Sequence, residues 1–190
     1  AHRLHMKIAV HAVSRDGIIE CIKAGIDTIE HGPDIPDEYL DVMKEKGLTL
    51  VPTLAIYKIL SEGVGVLSDF MVERSLKVTN QQRATFGRAR AKGVRIALGT
   101  DAGSPLFGPH PVAFKEMHMM NLYGMSKEEV VTSATLTAAE VLGMEHEIGS
   151  VEPGKLADLL VLETNPYEDL DAFTKQCLFS FPVIGENEET

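Results

Sequence analysis

Three residues of this 190-residue sequence are of metal-ligating type and recur at one point of a repeating pattern: His11, His31 and Asp101. His11 ends the run KIAVH at residues 7–11 and His31 ends DTIEH at 27–31. Asp101 follows VRIALG at 94–99, inside Gly99-Thr100-Asp101-Ala102-Gly103. Neutral imidazole and carboxylate suit Zn²⁺, Mn²⁺, Fe²⁺ or Co²⁺ without selecting among them. A single histidine at a strand end is most often structural, whereas three ligand-type side chains at equivalent ends point to one shared ion. Such an ion brings the pKa of bound water to about 7 and polarises a carbonyl, and a neighbouring carboxylate shuttles the proton; together these are the means of hydrolysis.

The elements that must carry these residues follow a clear rhythm. Short β-rich runs alternate with longer stretches of helical periodicity over the first hundred residues, which predicts βα units around a parallel sheet and an α/β fold. Four runs stand out, at 7–11, 27–31, 48–53 and 94–99. The first is followed by a helix over 14–24, with Ser14 to cap it and Gly25 to end it; the second by a loop with Pro33 and Pro36 and a helix that Gly47 closes. After the third, the glycines at 63 and 65 predict an irregular start and one main helix from about Ser68. Beyond Thr100 three helices are expected without intervening strands, over 111–123, 126–133 and 136–142. Ser126 with Glu129 reads as a capping box, and Thr135 or Thr137 as the cap of the third helix. Residues 159–162 read as a strand, and the acidic end GENEET as unstructured. In a parallel α/β barrel the C-terminal strand ends share one open face, so the three ligand-type residues would meet there. A complete barrel needs about 250 residues, more than this chain has.

The order His-Ala (11–12), Ile-Glu-His-Gly (29–32), Pro-Thr-Leu (52–54) and Gly-Thr-Asp-Ala-Gly (99–103) resembles the amidohydrolase superfamily, and within it the branch of imidazolonepropionase-like proteins, metal-dependent prolidases and carboxypeptidases. Ala-Thr-Leu-Thr-Ala-Ala (134–139) and Gly-Ser-Val-Glu-Pro-Gly-Lys-Leu-Ala-Asp-Leu (149–159) resemble the same family's return to its small β-domain. The resemblance implies the C-terminal half of a (β/α)₈ TIM barrel, matching strands five to eight, over residues 1–145. It further implies extra C-terminal helices, part of the small β-domain over 146–170, and an irregular tail over 171–190. It implies His11 as the strand-five ligand and His31 as the strand-six ligand. Asp101 is then the strand-eight aspartate, which contacts the metal, takes the proton of the catalytic water and gives it to the leaving nitrogen. The implied cofactor is a divalent metal, zinc first, with one or two ions in the full-length parent. The family's first-strand His-x-His pair and its fourth-strand bridging residue have no counterpart here. His2 and His5 are spaced His-x-x-His before the first strand and read as surface residues, and Lys7 stands at the wrong end of its strand.

Other candidates are weaker. His110, in the loop after the fourth strand, and Tyr57, just past the third, are expected to line a substrate pocket. His118 lies among Met117, Met119, Met120 and Met125, a cluster that reads as core filling. Glu30 precedes His31 and so should point to the other side of its strand, supporting the outer layer of the barrel. Gly103 and Gly108 are expected to permit the turns after the fourth strand, and Gly154 with Asp158 to set the β-domain hairpin. The net charge of −10 and the scattered 18 Lys and Arg argue against nucleic acid, and no apolar run reaches the length of a membrane span. Cys21 and Cys177 stand alone, which fits a reducing, cytoplasmic compartment, and the N-terminus carries no secretion signal.

The expected parent is therefore a metal-dependent hydrolase of an amide bond in a small substrate such as a dipeptide or a cyclic amide. This chain supplies part of its site, and the remainder is expected from a missing N-terminal half-barrel or from a second copy. The alternative is an inactive half-barrel that self-associates through unpaired strand edges.

Overall fold

The computed structural model describes residues 1–63, 65–103, 106–107, 112–174 and 180–181, the last two as backbone only. Four parallel strands form one sheet in sequence order: β1 (Ala9–Ala12), β2 (Thr28–His31), β3 (Thr49–Val51) and β4 (Arg95–Ile96). α1 (Arg15–Ala24) and α2 (Asp37–Lys46) connect the first three strands. α3 (Leu54–Ser61) and α4 (Asp69–Lys92) lead from β3 to β4, and α5 (Ala113–Leu122), α6 (Lys127–Ala134) and α7 (Leu136–Leu142) follow. Two short strands, β5 (Leu159–Leu160) and β6 (Ser180–Phe181), pair antiparallel apart from the main sheet, so the stretch expected as an irregular tail contains a strand. The turn at Gly154 precedes β5 and does not join it to β6.

Strand register sorts the side chains into two faces. Val10 pairs with Ile29, Ile29 with Leu50 and Leu50 with Ile96. This apolar row packs under the helices, against Ile18 and Ile22 of α1, Leu40 and Met43 of α2, Phe86 of α4 and Met120 of α5. The next row, His11, Glu30 and Val51, lies by the two-residue alternation on the opposite, inner face, as do Thr28, Thr49 and Arg95. Arg95 Nε donates to Thr49 Oγ1 at 2.7 Å there. Among the described residues β1 and β4 each pair along one edge only.

Local signals explain most of the elements. Ser14 accepts from the backbone N–H of Gly17, Ser68 from that of Met71, and the Ser126/Glu129 capping box is formed. Thr135 flanks α7 without capping it, because its hydroxyl donates back to the Val131 carbonyl. Two expectations fail. The chain after β3 turns at once into α3, whose Leu54, Ala55 and Ile56 are buried, in place of an irregular stretch. The fourth run also stops short of Gly99: Ala97 N–H still reaches the Leu50 carbonyl, but Leu98 N–H donates to Ser133 of α6. The methionine cluster does fill core, with Met117, Met120 and Met125 buried, while His118 beside it pairs with Asp171 at 2.9 Å. Residues 185–190, expected to be unstructured, lie outside the described residues. No described helix is long and apolar enough to cross a membrane.

Gly99 is needed for space: a Cβ there would collide with Cγ1 of Val51 on the neighbouring strand. We expect Gly99→Ala to cost about 1–3 kcal/mol in urea unfolding. Adding Val51→Ala should recover part of that loss, whereas simple addition of the two losses would show that the contact is not the cause.

Candidate active site at the strand ends

Three of the four strand ends leave the sheet through a non-glycine residue with positive φ: His31 (71°), Thr53 (49°) and Asp101 (51°). Left-handed backbone is unfavourable for such residues, above all for a β-branched threonine, and it gathers where function over-determines the geometry. At His31 its consequence is visible. His31 is paired with Ala12, in the row that faces the helices, yet at the turn its ring swings across the sheet end to meet His11.

The two imidazoles converge through specific atoms. Nδ1 of His11 and Nε2 of His31 stand 2.7 Å apart, with the rings edge to face. The other nitrogen of His31, Nδ1, lies 2.6 Å from Oγ1 of Thr53, and the ring of Tyr57 on α3 packs edge-on at 5.5 Å. Burial, then the neighbouring His11, hold the His31 pKa below the usual histidine value, with Asp101 opposing, so the ring is neutral and ligand-capable at neutral pH.

Asp101 stands on exposed backbone and is not in contact with the pair, but its charge reaches three groups around one space. It favours the protonated form of His31, raises Glu30 behind the larger effect of burial, and raises the Tyr57 phenol in the same way. Glu30 is therefore on the inner face, where Thr28 donates to it at 2.6 Å, and not in the outer layer. The alternation with His31 holds within the strand, but Ile29 occupies the helix side, which sends Glu30 inward.

Two imidazole nitrogens on a tetrahedral Zn²⁺, each at about 2.0–2.1 Å, stand about 3.3 Å apart, so the His11–His31 pair would open by about 0.6 Å to share one ion. The pair fits as two donors. Among the described residues no three His, Cys, Asp or Glu side chains close on one point, so the structure brings together His11 and His31 but leaves Asp101 at a distance. His110 and Gly108 lie outside the described residues, and Gly103 adopts the positive φ expected of it. His2 instead pairs with Asp27 at 2.9 Å, and His5 is exposed.

Three residues of this region have no role assigned from the sequence, although one of them, Thr53, lies within Pro-Thr-Leu (52–54). Gln82 of α4, 2% exposed, donates from Nε2 to the Pro52 carbonyl at 2.6 Å and to that of His31 at 3.4 Å. Its Oε1 has no partner among the described residues. Glu116 of α5, 0% exposed, accepts from the N–H groups of Leu54 at 2.8 Å and Ala55 at 2.7 Å. Thr53 is the third. Acids and amides inside a buried helical stripe were the available clue: Glu116 adjoins buried Met117, and Gln82 lies between buried Thr79 and Phe86.

The amidohydrolase family model matches residues 1–184 of the chain. The ochratoxinase of Aspergillus niger is 31% identical over 176 residues, covering 91% of this chain and 36% of that protein. The imidazolonepropionase of Symbiobacterium thermophilum is 38% identical over 88 residues, covering 43% of this chain and 20% of that protein. Among solved structures, an Xaa-Pro dipeptidase with methionine bound in its active site superposes with a TM-score of 0.82 at 37% identity, over 90% of this chain and 42% of that one. The chain thus spans well under half the length of these relatives, as a partial barrel would.

Burial pushes the Glu116 carboxyl up to about 7 from 4.5, against the two backbone N–H groups that favour its charge. Below about pH 4.5 it is protonated whether folded or unfolded; between about 4.5 and 7 only the folded chain keeps the proton. Its contribution to stability is therefore present at low pH and lost as pH rises to about 7, by about 3 kcal/mol in all. Urea midpoints from pH 4.5 to 8 should fall for the wild type relative to Glu116→Gln, and parallel profiles would refute the assignment.

Proposed function

The chain belongs to the amidohydrolase family, and from that membership we propose that its parent protein hydrolyses an amide bond of a small substrate, a dipeptide or a cyclic amide, with metal-activated water as nucleophile. The observation that carries this reading is the convergence of His11 Nδ1 and His31 Nε2 at adjacent strand ends, within reach of the Asp101 charge. The relatives named above support the substrate class: one is an ochratoxinase and one an Xaa-Pro dipeptidase.

In this reading His11, His31 and Asp101 hold a divalent metal, zinc first, with further ligands and any second ion supplied by residues outside this chain. When bound, the ion lowers the pKa of water toward 7 and polarises the scissile carbonyl. Asp101 accepts the proton that water loses as its oxygen bonds to the carbonyl carbon. It then gives that proton to the leaving nitrogen as the C–N bond breaks, leaving a carboxylic acid and an amine. His31 enters as a neutral ligand because its burial disfavours the imidazolium. Tyr57 lines the substrate space with an un-ionised phenol, since burial and Asp101 both raise its pKa. His110 is assigned to the same pocket wall, and a cytoplasmic setting fits the free Cys21.

A second reading has its own observation. With β1 and β4 paired on one edge each among the described residues, and with His11 and Arg95 of the inner face exposed, the 190-residue chain alone is suited to self-association as an inactive half-barrel. Sedimentation of that chain as a stable monomer would dismiss it.

For the full-length protein loaded with zinc, turnover of Xaa-Pro dipeptides or cyclic amides is expected. Asp101→Asn should lower kcat by about 10²–10⁴-fold, and His11→Ala or His31→Ala should reduce the zinc retained on dialysis. Inactivity of the loaded protein across both substrate classes would end this proposal.

A further inference from the structure

Thr53 poses a question that neither packing nor the reaction answers. It occupies the N-cap position of α3, where a threonine hydroxyl ordinarily accepts an N–H of the first turn from extended backbone. Here φ and ψ are 49° and 50°, the hydroxyl makes no cap, and it lies on Nδ1 of His31 instead. Such backbone costs about 1–3 kcal/mol and persists only where its surroundings impose it.

The surroundings impose it at both flanking peptide planes. The plane before Thr53 contains the Pro52 carbonyl, which takes the Gln82 amide at 2.6 Å. The plane after it contains the Leu54 N–H, which donates to Glu116 at 2.8 Å, beside that of Ala55 at 2.7 Å. Since φ and ψ of a residue are the angles its two peptide planes make with its Cα, clamping both planes leaves Thr53 no other conformation. We infer that Glu116 and Gln82 are positioning residues of the site: from α5 and α4 they lock Thr53 in left-handed backbone and so hold its hydroxyl on Nδ1 of His31.

The choice of side chains follows from this duty. Two N–H groups need two acceptor oxygens, which a carboxyl group has in either protonation state and an amide lacks. With Glu116 closing α3, the Thr53 hydroxyl is released from capping. For His31 to offer its Nε2 lone pair to an ion, Nδ1–H donates to the Thr53 hydroxyl, and a hydroxyl held there as acceptor favours that tautomer. Burying an acid, and leaving Gln82 Oε1 with no donor among the described residues, are costs that a purely structural cap would not require. The inference rests on the proposed role of His31 as a ligand, and the test separates the two.

In the full-length protein, zinc affinity is measured by chelator competition and the His31 ring nitrogens by ¹⁵N NMR at one pH. Glu116→Gln and Thr53→Val should each weaken zinc binding about 10–100-fold and move His31 from a single tautomer to a mixture. The double variant should be no weaker than Thr53→Val alone. Reduced stability with unchanged zinc affinity and unchanged His31 signals would overturn the inference, as would effects that multiply in the double variant. If Glu116→Gln does not fold, Gln82→Leu acts on the other peptide plane: weaker zinc binding with a His31 tautomer mixture supports the inference, and no change in either overturns it. If His11→Ala and His31→Ala leave zinc binding intact, the ligand reading fails. A His31 tautomer that still responds to Glu116→Gln would then uphold the positioning role, and one that does not would overturn it.

Discussion

Everything at the mouth of this sheet depends on how the chain leaves its strands. His31, Thr53 and Asp101 all do so with positive φ and none is a glycine, so each exit is held against its own preference. At His31 the turn brings an imidazole from the helix side of the sheet to the inner side, where it meets His11. At Thr53 it directs a hydroxyl away from capping α3 and onto the same imidazole. At Asp101 it leaves a carboxylate on exposed backbone whose charge is felt by His31, Glu30 and Tyr57 alike. Around His31 and Thr53 buried hydrogen bonds from α4 and α5 hold the adjoining peptides, so the helices act on the site as well as covering the sheet.

The electrostatics of the region follow from burial more than from net charge. His31 is kept neutral by desolvation, and Glu30 and Glu116 are both raised by it. A chain of net charge −10 thus presents to its mouth an exposed carboxylate, Asp101, beside His31 and other groups biased toward their uncharged forms. That is an environment in which a divalent cation and a carbonyl substrate both find complementary groups.

Membership of the amidohydrolase family places these features in a larger frame. The chain covers 42% of the dipeptidase structure it superposes on; on its inner face His11 and Arg95, on the two outer strands, are exposed, while Thr28, Thr49 and Val51 between them are buried.

By itself the sequence determined the alternation of strands and helices, the caps at Ser14 and Ser126, the start of α4 near Ser68, and the placing of His11 and His31 at strand ends. These are local matters of periodicity, capping chemistry and turn residues, and they are legible in a window of a dozen residues. The family was legible too, because its motifs are contiguous. Which face Glu30 takes was not, since alternation gives relative sides and only the packing of Ile29 under the helices says which side is inward. α3 was missed because its start carries no capping side chain of its own; its cap is Glu116, distant in sequence. The strain at His31, Thr53 and Asp101 was equally hidden. Backbone of that kind is no residue's own preference, and at His31 and Thr53 it is flanked by hydrogen bonds from α4 and α5, which exist only once the helices have packed.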